Sequence, residues 1–308
     1  MAFEQRREYL FIYSVKDANP NGDPLTANHP RMDAESKQIL VSDVRVKRTV
    51  RDEFIREGYD VFVDGETKTL NQRVDELVKK LSAKTPKEAL AQCIDTRLFG
   101  VTCALKKGEK EDKSSFAWTG PVQFKWGRSL HRAMVQMIQG TAAFATKEDS
   151  AQRSFRNEYI VPFVLIADYA IANQHAAKTT GATDEDLKAL FEALWKGTGN
   201  LITRSKVGHV PRFLLEVRYV KGFDGIIGAM DEKVKLLGKG GNSLSEDEQR
   251  SLRSCGDALL DVTPLTKDFT RLAASIEAVH ILKDTELKIR GLNEIGSALG
   301  GKLTLEER

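Results

Sequence analysis

The sequence predicts an α+β fold, in which helices pack on one face of a sheet. Two segments, 9–15 and 159–173, are apolar and rich in aromatic and β-branched residues, which is typical of buried strands. Segment 43–57 has the apolar spacing of a helix that docks along one side. Strand-like and helical segments alternate along the 308 residues, and a hydrophobic content of 41% is sufficient to bury a core between them.

The first elements are a strand, a stiff loop and a helix. The strand 9–15 leads into a loop over 19–31, whose three prolines and one glycine restrict the backbone. The helix 43–57 follows, and Ser42 or Asp43 is expected as its N-cap.

The same criteria predict the later elements. In the next part of the chain we expect a helix over 70–81, a second helical segment beyond Pro86 and a polar loop over 106–115. Segment 116–124 is expected to be a strand approached by a tight turn at 119–121. Segment 131–138 fits a strand or a helix, and a strand is favoured. The remainder is expected to comprise a polar hairpin over 140–158, the strand 159–173, a helix from Thr183 to about Lys196, a strand over 212–219, a loop over 238–242, a helix over 267–274 and a strand over 276–282. This order favours a ferredoxin-like core with long insertions.

Composition argues against several classes of protein. Three cysteines without a CxxC pair and five scattered histidines argue against a disulfide framework and a zinc site. No stretch approaches 18 consecutive apolar residues and the N-terminus is polar, so we expect a soluble cytoplasmic protein with no membrane partner and no cofactor. The net charge is only +3, so a nucleic-acid surface requires uneven placement of charge.

The start of the helix 43–57 is strongly basic. Arg45, Lys47, Arg48 and Arg51 occur with no acidic residue between them, and Lys47 and Arg51 share a face because they are four residues apart. The positive end of the helix dipole favours a phosphate near Ser42. The alternative is a solvated charged face of an ordinary surface helix.

The loop after the first strand contains Asn-Pro-Asn-Gly-Asp-Pro at 19–24. Two prolines and Gly22 make this turn stiff. The amides of Asn19 and Asn21 can either hold the turn or contact a ligand, and both interpretations remain open.

The polar segment 140–158 carries large aromatic and basic side chains without an obvious core. Aromatic side chains can stack on bases and arginines can pair with phosphates, whereas the alternative is a hairpin that folds back on its own protein. The residues concerned are Phe144, Arg153, Phe155 and Arg156, together with Gln123, Lys125 and Arg128, which precede the segment and can face the same groove.

Catalytic signatures are weak in this sequence. Asp17, Asp23 and Asp33 lie in or near the first loop, but no spacing matches a known metal loop, a triad or a phosphate-binding motif. The glycine-rich segment 238–242 lacks the strand and helix context of such a motif. Structural or solvated acids are therefore favoured.

Six sequence blocks stand out along the chain. They are Asn-Pro-Asn-Gly-Asp-Pro at 19–24, Pro-Arg at 30–31, Val-Ser-Asp-Val-Arg-Val-Lys-Arg at 41–48, Asp-Thr-Arg-Leu-Phe-Gly at 95–100, Thr-Gly-Pro-Val-Gln at 119–123 and Val-Pro-Phe at 161–163. Together they resemble one family, the backbone subunits of type I CRISPR Cascade complexes. The similarity is to the Csh and Csd branch of subtypes B and C, and it covers at least residues 9–165.

The resemblance implies a single domain over 1–308 that is built as a modified RNA-recognition-motif (ferredoxin-like) palm. A helical insertion over 60–115 and a β-hairpin thumb over 139–158 are implied with it. Copies assemble head to tail along a CRISPR guide RNA, which pairs with a target DNA strand. The other implied partners are the large and small subunits and those at the guide 5′ and 3′ ends of Cascade.

The resemblance also implies which residues contact the guide RNA. A guide carrier binds phosphates rather than base edges, because every spacer has a different sequence. The implied palm contacts are Ser42, Lys47, Arg48 and Arg51, supported by Asn19, Asn21 and Arg31, with Arg204, Ser205 and Lys206 along the same groove.

We expect no enzymatic activity, since target cleavage in type I complexes belongs to a separate helicase-nuclease. The alternative is a metal-dependent target-RNA endoribonuclease of the type III backbone kind, for which Asp33 is the candidate catalytic residue by analogy. A protein-interaction scaffold without nucleic acid is a further alternative, and the basic helix disfavours it.

Overall fold

A computed structural model describes residues 1–26, 29–105, 115–141, 155–203 and 205–308. Its strands are β1 (Arg7–Ala18), β2 (Leu40–Val41), β3 (Gly100–Cys103), β4 (Phe116–Thr119), β5 (Val122–Phe124), β6 (Gly127–Ser129), β7 (Gln136–Thr141), β8 (Phe155–Ala172), β9 (His209–Tyr219), β10 (Lys235–Gly238), β11 (Ala258–Asp261), β12 (Ile276–Lys283), β13 (Ile289–Arg290) and β14 (Leu303–Glu307). Its α-helices are α1 (Asp43–Arg56), α2 (Leu70–Lys80), α3 (Pro86–Gln92), α4 (Ile94–Phe99), α5 (Gln174–Thr180), α6 (Asp184–Gly199), α7 (Glu246–Ser251), α8 (Thr266–Leu272) and α9 (Leu292–Leu299).

Within the described residues, a central sheet of nine strands organises the mixed α/β fold. Its order is β14-β12-β9-β1-β8-β6-β2, and β5 and β7 pair with other parts of β8. Neighbouring strands are antiparallel except β12 and β14, which are parallel. Helices α1 and α6 pack together over one face, where their apolar side chains join one core with alternate residues of β1 and β8.

The sheet is covered on both faces, which corrects the expectation of helices on one face only. Strand β1 places Tyr9 and Phe11 in the core beneath α1 and α6, whereas Leu10 and Ile12 lie in a second core on the opposite face. Residues after β9 form the second layer with β10, β11, β13, α8 and α9. A nearly continuous apolar strand is what burial on both faces requires.

Glu8 fastens this second layer to the sheet. Its side chain is fully buried and accepts hydrogen bonds from the backbone N–H groups of Ile227 and Gly228, both at 2.8 Å. The hydroxyls of Tyr169 and Tyr219 also donate to the carboxylate. Four donors satisfy the buried acceptor, so the segment after β9 is held against the sheet by polar bonds as well as by packing.

Helices α2 and α3 and the antiparallel strands β3 and β4 form a unit with its own small core. The apolar side chains of α4 join the main core instead. The carboxylate of Asp95 is fully buried and accepts from the N–H groups of Phe62 at 2.7 Å and Val63 at 3.2 Å, and from Nε of Arg51 at 2.8 Å. Since Arg51 belongs to α1, this carboxylate connects the unit to the helix that covers the central sheet.

Most of the long predicted elements are confirmed. The strands 9–15, 159–173, 212–219 and 276–282 correspond to β1, β8, β9 and β12. The predicted helices 43–57, 70–81 and 267–274 correspond to α1, α2 and α8, and the helix from Thr183 is α6, capped by the Thr183 side chain. The expected loop 106–115 lies outside the described residues, except for Ser115.

Two predicted strands are shorter than expected. The turn predicted at 119–121 divides segment 116–124 between β4 and β5, which belong to different sheets, because the backbone passes Gly120 in close contact with Gly100. A Cβ on Gly120 would lie 2.2 Å from the Gly100 nitrogen, so only glycine fits. The predicted strand 131–138 begins only at Gln136, because the buried His131 lies in a bend.

Candidate nucleic-acid interface

A groove of about 610 Å³ lies at the end of β1 and is called here the loop groove. Three separate parts of the chain line it: the loop after β1, the start of β8 and the segment before β9. The lining residues are Asp17, Ala18, Asn19, Gly22, Asp23, Pro24, Arg31, Glu158, Tyr159, Ile160, Thr203, Ser205 and Lys206. Asn19, Arg31 and Lys206, predicted from separate motifs, therefore share one cavity.

The asparagines of the first loop hold its shape. The backbone N–H of Asn19 donates to Ser205 O at 3.0 Å, and this bond brings the two walls of the loop groove together. Asn21 Oδ1 accepts from the Ser42 backbone N–H at 2.8 Å and from the Ser42 hydroxyl at 3.1 Å. Ser42 is the N-cap residue of α1, but its hydroxyl bonds Asn21 and makes no capping bond to the helix. The loop is therefore fixed to the start of α1.

The loop groove has mixed charge. Arg31 donates through Nε to Gly22 O at 3.2 Å, and its guanidinium lies 5.4 Å from the ring centre of Trp126. Lys206 donates to Asn19 O at 2.6 Å, and burial lowers the pKa of Lys206 to about 8. Three carboxylates, Asp17, Asp23 and Glu158, share the lining with these two cations.

Two aromatic residues beside the loop groove were missed by the sequence analysis. The rings of His29 and Tyr159 lie 4.9 Å apart, centre to centre, and Tyr159 lines the cavity. The sequence analysis assigned Tyr159 only to an apolar strand. Its position directly after the polar hairpin 140–158 is the signal that could have marked it as a candidate binding residue. No local pattern identifies His29, because its partner is 130 residues away in the sequence.

Two of the predicted palm contacts point inward. Lys47 is buried and donates to Asp43 Oδ2 at 3.0 Å and Gln123 Oε1 at 3.3 Å. Arg51 is bound to Asp95, as described above, and both cations lie over the ring of Phe99, at 5.7 and 5.2 Å from its centre. Their shared face therefore packs on the protein, with Asp43, Asp95 and Phe99 as partners.

Arg48 is the more accessible cation of the helix start. Its side chain is 41% exposed and forms an ion pair of 2.6 Å with Asp52, four residues further along α1. An exposed pair of this kind is weak and leaves the guanidinium able to exchange Asp52 for another anion.

Lys125 and Arg128 line a different cleft of about 600 Å³, and Gln123 belongs to neither cavity. Lys125 donates to Asp231 Oδ2 at 2.9 Å, and Arg128 pairs with Asp33 at 3.2 Å. The predicted single groove is thus divided between two surfaces.

Asp33, the residue of the nuclease alternative, shapes a turn. Its Oδ1 accepts from the N–H groups of Ser36 at 2.9 Å and Glu35 at 3.0 Å. The Ser36 N–H, Arg128 and the Glu35 N–H together lower the pKa of Asp33 to about 2. The carboxylate is therefore held ionised by bonds that maintain the local turn. Among the described residues, no three His, Cys, Asp or Glu side chains are grouped so that they could hold a metal ion.

The predicted thumb is only partly within the described residues. Phe144 and Arg153 of the thumb lie outside them, as does Arg204, which was predicted along the palm groove. Phe155 and Arg156 are the first residues of β8 and lie opposite Thr141 and Gly140 of β7. The antiparallel pairing of β7 and β8 continues from there to Gln136 and Ile160, next to the loop groove.

None of the described helices is long and apolar enough to cross a membrane.

Asp168 of β8 is a buried carboxylate beneath α1. It is 1% exposed, and within the described residues neither carboxylate oxygen has a hydrogen-bond partner. Burial raises the pKa of Asp168 to about 8; the charge of Arg45 opposes this shift and that of Asp231 adds to it. A Cβ on Gly127 would lie 2.0 Å from Asp168 Oδ1, so the neighbouring strand needs glycine there.

We expect Asp168→Asn to change how stability depends on pH. The folded pKa of about 8 exceeds the unfolded value of about 3.9, so the wild-type protein loses stability as the pH rises between these values. The expected slope is at most about 1.4 kcal/mol per pH unit, and it ends above pH 8. Urea unfolding at pH 5, 6.5 and 8 should show that the variant gains on the wild type with rising pH. Parallel profiles would contradict the assignment.

Comparison with known proteins gives a consistent result. A family model described as CRISPR-associated protein Cas7 matches residues 5–262. A CRISPR-associated protein Cas7 from Haloferax volcanii is 27% identical over 309 aligned residues, which cover 92% of this chain and 88% of that protein.

Two solved structures share the fold. A chain of a pre-nicking CRISPR RNA-guided surveillance complex superposes with a TM-score of 0.51 at 13% identity and covers 96% of this chain and 100% of that chain. A chain of another CRISPR RNA-guided surveillance complex also has a TM-score of 0.51, at 15% identity, and covers 96% of this chain and 98% of that chain.

Proposed function

The chain belongs to the CRISPR-associated protein Cas7 family, and from this premise we propose that it binds CRISPR guide RNA as a backbone subunit of a surveillance complex. Copies of the chain assemble head to tail, together with the other subunits of the complex, and present the spacer for pairing with a target DNA strand. The observation that carries the proposal is the loop groove, where three segments distant in the sequence enclose a cavity.

The topology supports an RNA-recognition-motif palm. The central strands have the order β9-β1-β8-β6, and α1 and α6 cover the same face of these strands. This is the strand order and helix placement of a ferredoxin-like sheet, with one helix after its first strand and one after its third.

The proposed domain consists of this palm and two additions. Residues 60–115 are the helical insertion, for which the separate small core of α2, α3, β3 and β4 is the support. Residues 139–158 are the thumb, for which the antiparallel continuation of β7 and β8 away from the main sheet is the support. Both belong to a single domain over 1–308.

The proposed guide contacts are the accessible ones. Arg31 and Lys206 line the loop groove, and Arg48 is exposed near the start of α1. The His29–Tyr159 ring pair provides a surface on which a base can stack irrespective of its identity. Lys47 and Arg51 support the fold beneath this surface. In this proposal the chain itself performs no cleavage. The Asp33 carboxylate instead stabilises a turn by accepting hydrogen bonds from two backbone N–H groups.

We expect Arg31→Gln combined with Lys206→Gln to weaken guide RNA binding about tenfold, equally for unrelated spacers, because phosphate contacts carry no sequence information. The slope of log affinity against log salt should fall by about 0.7 for each lost contact. Fluorescence anisotropy with two labelled RNAs of unrelated sequence measures both quantities.

The matched control is Lys178→Gln with Lys188→Gln, which removes the same charge from exposed positions on α5 and α6. It should leave RNA affinity nearly unchanged. A loss that depends on spacer sequence would contradict phosphate binding in the loop groove. Wild-type protein co-expressed with a CRISPR array should also retain repeat-derived RNA, and purification free of RNA would contradict guide binding itself.

A further inference from the structure

The small sheet in the second layer carries a charged row whose two cations are exposed to solvent. Its strand order is β10-β11-β13, and the register places Lys235, Asp261 and Arg290 side by side across it. The adjacent row consists of apolar residues that pack against the core: Leu236, Leu260 and Ile289. Because side chains alternate between the faces of a sheet, the charged row and Lys288 point away from the core.

Three cations of this face have no acidic partner among the described residues. Lys235, Lys288 and Arg290 are exposed, and within the described residues none of their side chains makes a hydrogen bond or an ion pair. Asp261 is largely buried, and its Oδ1 accepts from the backbone N–H of Thr263 at 3.0 Å. Positive charge is therefore in excess on this face, although the net charge of the whole chain is small.

The glycine-rich segment 238–242 continues the same surface. It forms a tight turn in which Gly241 has a φ of 81° and donates its N–H to Gly238 O at 2.8 Å. A Cβ on Gly241 would lie 3.6 Å from Nη1 of Arg290, so the turn lies against that guanidinium. Lys239 in the turn is 70% exposed and has one acid, Asp257, at 3.5 Å. The basic sheet face is defined as Lys235, Lys239, Lys288 and Arg290.

We infer that the basic sheet face binds the phosphate backbone of duplex DNA. Charge complementarity selects a polyanion, and Lys235 and Arg290 are two strands apart, about 10 Å, which is comparable to the width of a duplex groove (about 6–12 Å). Single-stranded sites add aromatic platforms for the bases, but the outward side chains of this sheet include no aromatic residue. The half-exposed Leu237 and Leu259 lie among the cations and carry no charge that would repel phosphate.

This surface is separate from the loop groove, since the two share no residue. A duplex held there lies on the protein independently of guide RNA, and the contact requires no particular base sequence. The site therefore goes beyond the proposed function, and each can fail without the other.

The test measures anisotropy of a fluorescein-labelled 30-base-pair DNA duplex with the full chain. The variant Lys235→Glu/Lys288→Glu/Arg290→Glu should lower duplex affinity at least tenfold and reduce the salt slope by about 0.9 for each lost phosphate contact. The neutral variant Lys235→Gln/Lys288→Gln/Arg290→Gln should give an intermediate loss. Guide RNA affinity should stay within about twofold, since the loop groove is intact.

The matched control is Lys178→Glu/Lys188→Glu/Lys267→Glu, which makes the same change in net charge at dispersed, exposed positions. Duplex affinity should change much less in this control. An equal loss in the control would show that only net charge matters and would overturn the inference. Unchanged duplex affinity in the first variant, as expected if the face instead docks an acidic protein segment, would also overturn it. So would an equal loss of guide RNA affinity.

Discussion

Replacing Asp95 by alanine is expected to lower the free energy of unfolding by about 3–5 kcal/mol, because it breaks a buried ion pair and leaves its partners unsatisfied. The carboxylate is fully buried and bonds Arg51 and the N–H groups of Phe62 and Val63. Without it, the Arg51 cation remains 12% exposed with no anion. Urea unfolding followed by tryptophan fluorescence is suitable, since Trp118 Nε1 donates to Thr96 O at 3.0 Å, beside the site.

The control for Asp95→Ala is Asp52→Ala, which removes the exposed ion-pair partner of Arg48. Asp52 and Arg48 both lie on α1, the helix that also carries Arg51. Its expected cost is about 0–1 kcal/mol. Asp95→Asn keeps one acceptor oxygen and should fall between the two. Arg51→Ala decides the role of the arginine: we expect reduced stability, whereas a fully stable variant with weaker RNA affinity would make Arg51 a guide contact after all.

Glu8→Ala is expected to cost at least about 3 kcal/mol, because four donors lose their shared acceptor inside the protein and, among the described residues, only the Ile227 N–H has a second one, the Tyr219 hydroxyl at 3.0 Å. The donors are the hydroxyls of Tyr169 and Tyr219 and the N–H groups of Ile227 and Gly228. The segment that contains the two N–H groups should loosen first. Hydrogen exchange should therefore accelerate at Ile227 and Gly228 beyond what the global loss of stability explains.

Glu8→Gln provides the matched comparison. Its amide oxygen can keep two of the four donors, but its NH₂ group faces donors where acceptors are needed, so an intermediate loss is expected. Glu4→Ala, which removes an exposed carboxylate paired with Lys221, should leave the unfolding midpoint nearly unchanged. Stability equal to wild type in Glu8→Ala would contradict the role assigned to this carboxylate.

The sequence predicts the long elements well because their patterns are local. Segments 9–15 and 159–173 are apolar runs with turn residues beside them, and Thr183 is a typical helix cap. Strands β10, β11 and β13 have only two to four residues and form through pairing with one another, which no local pattern specifies. Helix α9 was missed because it begins after Gly291, with a φ of 102°, and has no polar capping side chain.

The candidate site was predictable only in part. The stiff loop and the basic helix are recognisable from turn chemistry and charge. The inward direction of Lys47 and Arg51 depends on Phe99 and Asp95, which reach α1 from more than 40 positions along the chain. For the same reason, separate motifs gave no indication that Lys125 and Arg128 lie in another cleft than Arg31 and Lys206.

The central position of β1 also has a consequence for synthesis. Strand β1 leaves the ribosome long before its partner β8, with which it pairs from Arg7–Ala172 to Ala18–Val161. About 140 residues separate the two strands, which corresponds to roughly 7–30 s at about 5–20 residues per second. Its other neighbour, β9, emerges later still. During this interval an apolar strand has no native partner, so the nascent protein depends on protection of a segment in which only Lys16 and Asp17 stay exposed once the sheet closes.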